Sequence, residues 1–551
     1  MNKWLLPGIL LVAFILRVYG LSSYPVGFTP DEASFGYDAY SILHTGKDQW
    51  GNSFPLVLES FGVAKPLLYA YLAVPSIAIF GLTEFAVRLP NALLGALAVF
   101  VVFLLTERLF NKRTALFAAG LLAVSPWHTM LSRGAFEANL TAFFLPLGLW
   151  LLLKGAKEQK FLYLGSLVLG LNLFSYHSAK LVTPLALLLF AILYKDKFVN
   201  ISKKHLARAA GIFVVFLGLM AYSFTLGAGA RASDVSIFRG IREASAEYKV
   251  HAFNLGINPT LTRVLYNKYK IPVSRFLKNY VEYLSPQYLF TSGPAEATYG
   301  MIPGRGVIYW FELAFIFGFL AVLFRTKNKK ALLFLLGWLL LAPIPAALTT
   351  GRGYAANRAA SMLPVLQIIL AIGAVEFLAF IKRNFSKDRE RLVLVAYAGF
   401  SLLLLLGFLS DYFLISPARN ASAMLYGNME ASRMLVENYE GREIVVSRGL
   451  SEPQIFIAFV NKWDPVSYQE ATKNWDYKKH NGWVDQIPEY TLENYTFKDI
   501  KEKDIEDGLV LMGRPDGFPY EIIPTYTINY QNGEPAVWIH DASEKVHAKA
   551  N

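Results

Sequence analysis

Two pairs of residues in the first polar stretch could do chemistry: the adjacent carboxylates Asp31 and Glu32 after Pro30, and Lys65 followed by Pro66. Both lie just beyond the first apolar run, which sets them at a membrane face. A carboxylate there can act as a general base on an acceptor hydroxyl, and the sequence assigns that work to Asp31. Glu32 would orient the acceptor or tune Asp31 through like-charge coupling. The competing reading is local: Thr29-Pro30-Asp31 is a reasonable helix start, and the two acids would then cap a helix over 33–45. Lys65 also has two readings. Its ammonium can snorkel to lipid head groups. Alternatively it binds the phosphate of a polyprenyl carrier, because breaking a sugar–phosphate bond leaves a monoester dianion that needs cations nearby.

Three more clusters fall at the ends of apolar runs. Ser125-Pro126-Trp127-His128 leads through Arg133 to Glu137 and Asn139. Arg133 could meet a donor phosphate and Glu137 could line the site, or the two, four apart, form a helix-end ion pair. His128 reads as structural more readily than catalytic. Tyr176-His177-Ser178-Ala179-Lys180 adds His177 and Lys180 as lining candidates. Gly351-Arg352-Gly353-Tyr354 through Arg358 offers two arginines on a flexible backbone that could cradle phosphate. Arg358 could equally anchor its span. Within apolar runs the clearest acids are Glu312 and Glu376, neither with an evident partner. His and carboxylates are too scattered to nominate metal ligands, so no metal or other cofactor is expected, although a divalent ion is compatible. Glycine-rich nucleotide loops are absent, which disfavours a soluble nucleotide-sugar donor.

These residues need a membrane scaffold to hold them. The 551-residue chain is 54% hydrophobic and 17% charged, a composition of polytopic membrane proteins. Its net charge of +12 is scattered among apolar runs rather than gathered on one face, so nucleic acid is a poor partner. With no cysteine, disulfides, Cys-ligated zinc and thiol nucleophiles are excluded. No convincing cleavage site follows the first apolar run, which reads as an uncleaved span.

Eleven apolar runs fall at about 4–21, 87–107, 114–131, 138–153, 161–176, 181–194, 209–226, 306–324, 331–349, 360–381 and 392–413. Gaps rich in Lys and Arg alternate with gaps poor in them. By the positive-inside rule the N-terminus is cytoplasmic and the C-terminus extracytoplasmic, in a multi-pass protein of the plasma (inner) membrane. Residues 66–82 would break this alternation if they spanned, and are placed as a juxtamembrane helix in the outer interface. The expected organisation is a transmembrane catalytic domain over 1–413, with long outer loops at 22–86 and 227–305. An extracytoplasmic α/β domain follows over 414–551. In that tail, 421–439 has helical periodicity, 443–447 reads as a strand, and Asn532-Gly533 marks a hairpin.

The segments TPDEASFGYDAYSILHTGKDQWGN, AKPLLYAYLAVPSIAIFGLTEFAVRLPNAL and SPWHTMLSRGAFEANL, with YHSAKL and ANRAASMLP later, resemble the polyprenyl-phosphate-dependent glycosyltransferases of the GT-C superfamily. The resemblance is to the family 39 and 83 group, which includes protein O-mannosyltransferases and the lipid A aminoarabinose transferase. It is strongest over 1–180 and weaker to about 413. It implies a lipid-linked sugar donor, usually a polyprenyl monophosphate, used with inversion at the anomeric carbon. It carries the catalytic acid onto Asp31 with Glu32 beside it, and the lipid-phosphate lysine onto Lys65. Arg358 corresponds to a phosphate-binding arginine, and Arg133 and Glu137 correspond by position. The tail departs from the eukaryotic protein O-mannosyltransferases, since no β-trefoil domain is evident, and that questions a protein acceptor.

The expected function is therefore transfer of a sugar from a polyprenyl-phosphate carrier to an acceptor hydroxyl on a lipid, glycan or protein at the outer face. Two rivals are a lipid-linked glycan flippase or transporter, and an oligosaccharyltransferase-like enzyme using a diphosphate carrier. A transporter would bury more ionisable groups near the midplane than this chain does.

Overall fold

The computed structural model describes residues 3–229, 235–326, 328–350, 355–480 and 482–543. All eleven apolar runs lie on helices, from Leu5–Val18 and Glu84–Leu109 through Lys387–Ser410. Among the described residues, six helices are long and apolar enough to cross a membrane. Shorter ones such as Leu5–Val18, Leu68–Phe80 and Lys160–Asn172 are apolar but have only 13 or 14 residues. At 1.5 Å per residue each covers only about 20 Å by itself. The run 114–131 is not one helix: Ser125 leaves helical geometry and caps a new helix, Pro126–Leu131, after Lys112–Val124 ends. Residues 227–305 are more than a connecting loop, since they hold the helices Ile241–Asn254, Pro259–Leu265 and Lys270–Leu284. The last apolar helix runs past 413, remaining helical to Asn420.

Small residues let the helices approach. A Cβ on Gly373 would lie 1.8 Å from the Phe315 carbonyl oxygen, and one on Gly318 would lie 2.3 Å from that of Gly373. The helices Leu313–Leu323 and Val365–Asn384 therefore pack backbone against backbone, the use of glycine common between membrane helices. Glu312 is turned to local use, accepting from the Tyr309 backbone N–H at 2.7 Å, and Glu376 pairs with Arg383.

A two-stranded hairpin, β1 (Leu58–Glu59) and β2 (Ala64–Lys65), stands between the helices Pro30–Thr45 and Leu68–Phe80. The C-terminal domain is built on a six-stranded mixed sheet. Its strands are β3 (Ile444–Ser447), β4 (Glu489–Leu492), β5 (Tyr495–Lys498), β6 (Val510–Gly513), β7 (Tyr526–Asn529) and β8 (Pro535–Asp541), in the order β4-β5-β3-β6-β8-β7. Central β3 pairs parallel with β5 and β6 and is buried along its length, as a strand covered on both faces must be. The edges are antiparallel, and Asn532-Gly533 turns β7 into β8, with Gly533 at φ 88°. The helix Pro453–Asn461 lies between this sheet and the helix Pro30–Thr45, so one apolar core runs from the membrane helices into the domain.

Candidate active site

The helix Pro30–Thr45 begins with a reciprocal cap. The Thr29 hydroxyl accepts from the Glu32 N–H at 3.3 Å, and the Glu32 carboxylate accepts from the Thr29 N–H at 3.1 Å. Pro30 fills the first turn, and Gly46 in the left-handed conformation ends the helix. Glu32 is fully buried, and Arg88 clamps it through Nε at 2.9 Å and a terminal nitrogen at 3.1 Å. The Ala135 N–H donates to the same carboxylate at 3.0 Å. Arg88 spends its remaining donors on the carbonyls of Leu21, Pro25 and Gly27. Both oxygens of Glu32 are thus taken by protein donors. A Glu32 that touches the acceptor gives way to one that ties the helix start to Arg88 and to residue 135.

Asp31 is built differently. It is half-buried and forms no hydrogen bond or ion pair with any described residue. Residues i, i+3 and i+7 share a helix face, so Asp31, Ser34 and Asp38 line up along one side. Lys65, carried by β2, lies on that side: its ammonium is 2.8 Å from Asp38 Oδ2 and donates to the Ser34 hydroxyl, over the Phe35 ring at 4.4 Å. It is 5% exposed, which rules out snorkelling to head groups. Its third N–H meets no protein acceptor among the described residues. Gln49 braces the pair, its backbone N–H donating to Asp38 at 3.0 Å and its side chain to Ser34 at 2.7 Å. Burial pushes the Asp38 carboxyl up to about 6, against the pull of Lys65 and with the charge of Asp48 adding to the rise.

Asp38 and Arg88 were missed as site residues in the sequence. The seven-residue step from Asp31 could have found Asp38. Arg88 stood in the Arg-Leu-Pro of the quoted family text, but nothing local assigned it to Glu32.

The remaining candidates separate into two groups. Arg133 is fully buried and donates to the carbonyls of Leu16 at 2.6 Å, Tyr19 at 2.5 Å and Tyr24 at 3.3 Å. Its guanidinium lies over Phe413 at 5.0 Å. Those contacts fasten the first apolar helix to the last one, and the guanidinium is not presented to a donor phosphate. His128 is likewise enclosed, its Nδ1 2.7 Å from a terminal nitrogen of Arg17, so it lines no site. Glu137 opens the short turn Glu137–Asn139 and shares Tyr69 with Glu32 as an electrostatic neighbour. His177 and Arg358 come together, lining a cavity of about 350 Å³ with Ser178 and Thr349, walled by Leu181, Phe238 and Leu348. Arg358 is held by the Thr349 hydroxyl and the Thr350 carbonyl, both at 2.9 Å, through one terminal nitrogen. Lys180 turns aside onto the Phe224 ring at 5.2 Å. Arg352 lies outside the described residues. The segment carrying His177 is tied to the Lys65 region, since the Leu68 N–H donates to the Phe174 carbonyl at 3.4 Å. Among the described residues, no group of three or more His, Asp or Glu side chains converges to hold a metal ion.

Comparison with known proteins agrees with this architecture. Residues 64–222 match a family described as dolichyl-phosphate-mannose-protein mannosyltransferase, a span that includes Lys65, Arg88 and Glu137 and begins after Asp31. Undecaprenyl phosphate-alpha-4-amino-4-deoxy-L-arabinose arabinosyl transferase 1 of Pseudomonas fluorescens is 31% identical over 144 residues, 26% of this chain and 25% of the relative. Transferase 2 of the same organism is 32% identical over 126 residues, 23% and 21% of the two chains. The matched segments span between 14% and 25% of the curated relatives' lengths. The crystal structure of ArnT from Cupriavidus metallidurans bound to undecaprenyl phosphate superposes with a TM-score of 0.51 at 12% identity, covering 97% of each chain. At that identity the likeness is one of fold, and it extends through the C-terminal domain. In sequence over residues 64–222 and in fold along nearly its whole length, the chain resembles the GT-C glycosyltransferases that use polyprenyl-phosphate-linked sugars.

Proposed function

We propose that the protein is an integral-membrane glycosyltransferase that moves one sugar from a polyprenyl-phosphate carrier to an acceptor hydroxyl at the extracytoplasmic face, with inversion. Asp31 takes the acceptor proton as the hydroxyl oxygen bonds to the anomeric carbon. The bond from that carbon to the phosphate oxygen breaks, and its electron pair leaves with the lipid phosphate, now a monoester dianion. The third N–H of Lys65 meets this growing charge, because charge stabilisation counts where the charge develops. Arg358 and His177, in their apolar-walled cavity, supply a second cationic surface for the same head group.

The observation that carries the reading is on the helix Pro30–Thr45. Among the described residues, one face holds a half-buried carboxylate with no protein donor and, within two turns, a buried ammonium with a donor to spare. Of the two adjacent acids only Asp31 keeps lone pairs for a substrate.

Asp31→Asn should lower transfer from a radiolabelled polyprenyl-phosphate sugar into membrane extract by about 10²–10⁴-fold, the usual worth of a positioned base. Lys65→Met is made together with Asp38→Asn so that no unpaired charge is buried, and should lower kcat more than it raises the KM for the lipid donor, because the lost contact is to charge that grows toward the transition state. An Asp31→Asn protein that turns over normally removes the assignment of the base.

A further inference from the structure

We infer that Glu452, contributed by the C-terminal domain, is an acceptor-binding residue of the Asp31 site. The inference rests on the transfer reading above and extends it to the part of the molecule to which no chemistry has been given.

The register of the domain against the helix Pro30–Thr45 brings the two acids together. The Phe459 ring packs on Phe28 at 5.2 Å, and a Cβ on Gly36 would lie 2.7 Å from that same ring. Farther along, the Tyr37 hydroxyl donates to the Trp463 carbonyl at 3.0 Å, and the Gln469 side chain donates to the Ser41 hydroxyl at 3.0 Å. Phe459 thus touches both Phe28, three residues before Asp31, and Gly36, five after it, so the helix Pro453–Asn461 packs on the N-terminal half of the acid helix. Counting back from the Gly36–Phe459 contact, five residues reach Asp31 and seven reach Glu452. At 1.5 Å per residue these steps are about 7.5 and 10.5 Å, so each acid lies within about two turns of the Phe459 contact. Each sits at the start of its helix, Asp31 in the first turn and Glu452 as the N-cap of Pro453–Asn461.

The side chain of Glu452 is unusual for a surface domain. It is 8% exposed. One oxygen accepts from the Ser451 hydroxyl at 2.5 Å, and the other has no partner among the described residues. Both Ser451 and Glu452 have positive φ, 59° and 47°, so the chain bends sharply to deliver this residue. Burial pushes its carboxyl up to about 7; the Ser451 hydroxyl opposes the rise, and the charges of Asp485 and Asp31 add to it. The reach of the Asp31 charge to Glu452 agrees with that packing. A nearly buried carboxyl with an unused oxygen, near a carboxylate that also lacks donors among the described residues, needs donors from elsewhere. An acceptor bearing hydroxyls supplies them: one hydroxyl is fixed by Glu452 while the reacting one is presented to Asp31.

The test separates transfer from the acceptor-independent reaction. Purified full-length protein is given a radiolabelled polyprenyl-phosphate sugar, and two rates are followed: transfer into serially diluted membrane extract, and release of free sugar to water. Glu452→Gln is expected to raise the extract concentration giving half-maximal transfer about tenfold, with the lipid-donor KM, the hydrolysis rate and the thermal midpoint unchanged, and Glu452→Asp is expected to recover part of the loss. Asp31→Asn is expected to reduce both rates. Should Glu452→Gln leave the extract dependence unchanged, or lower transfer and hydrolysis equally along with the thermal midpoint, the acceptor-binding role is overturned while Asp31 is untouched. If Asp31→Asn retains both rates, the base assignment fails whatever Glu452 does.

Discussion

A buried charge is tolerated only when its partners repay its lost hydration, and the pair Glu32–Arg88 shows how completely that can be done. Both side chains are 0% exposed, and their hydrogen bonds extend to Thr29, Ala135 and the four carbonyls of Leu21, Ser22, Pro25 and Gly27. Removing one member strands the other, which typically costs about 3–5 kcal/mol. Arg88→Ala should therefore lower stability by about that amount, seen as a fall in the thermal midpoint of the detergent-purified protein. The double variant Glu32→Gln with Arg88→Met removes both charges and should recover much of the loss. If Arg88→Ala melts like the parent, the clamp is not holding the helix start. At this scale the sequence was half legible. The types of Asp31, Glu32 and Lys65 named the chemistry, but two neighbouring acids look alike until their partners are known. The arginine that distinguishes them comes from 56 positions away. Asp38 was within reach of helix periodicity and His128 reads as structural more readily than catalytic, whereas the carbonyls that hold Arg133, those of Leu16 and Tyr19, come from the distant first apolar run.

Elements position these residues through a few close seams. At Gly36 the helix Pro30–Thr45 has Val87 on one side and Phe459 on the other, with an added Cβ falling 2.5 Å from the former and 2.7 Å from the latter. Phe459 belongs to the C-terminal domain, so this glycine sets the distance between domain and acid helix. Gly36→Leu should force the docking helix Pro453–Asn461 outward, at a cost of about 1–3 kcal/mol, as overpacking usually does. The expected readout is faster proteolytic release of the C-terminal domain, with transfer falling more than donor binding. Equal protease resistance in variant and parent would show that the seam is looser than its geometry. Legibility of the elements followed the apolar pattern. Long apolar runs, the 443–447 strand and the Asn532-Gly533 turn all have local causes. Segments governed by tertiary surroundings were harder. The helices within 227–305 carry mixed charge and many aromatics, and Lys270–Leu284 is amphipathic rather than wholly apolar. Ser125-Pro126 broke an apolar run because a proline at a helix start suits a new helix better than the middle of an old one.

On the scale of the whole molecule, the chemistry requires Asp31, Lys65 and the C-terminal domain to share one side of the bilayer. They pack together, so the open issue is which side they occupy. By the positive-inside rule the gaps holding Lys154, Lys157 and Lys160, or Lys382 to Arg391, are expected in the cytoplasm, and the gaps carrying the acids on the opposite side. Parity then depends on Leu68–Phe80. Its 13 residues cover about 20 Å as a helix, the same as Lys160–Asn172, so length does not separate the two and the charge pattern must. Counted as a crossing, it would invert every later loop and put the lysine-rich gaps outside. The chain has no cysteine, so single reporters can be placed without first removing any. Lys160→Cys and Val466→Cys replace exposed residues, one in a basic gap and one in the C-terminal domain. In intact spheroplasts a membrane-impermeant maleimide should modify the reporter at 466 and spare that at 160 until the membrane is opened. Labelling of 160 alone would place the acid helix in the cytoplasm, where an outward-facing acceptor could not reach it. Labelling of both without opening would mean that the segment 66–82 crosses after all and that an apolar run between 160 and 466 does not.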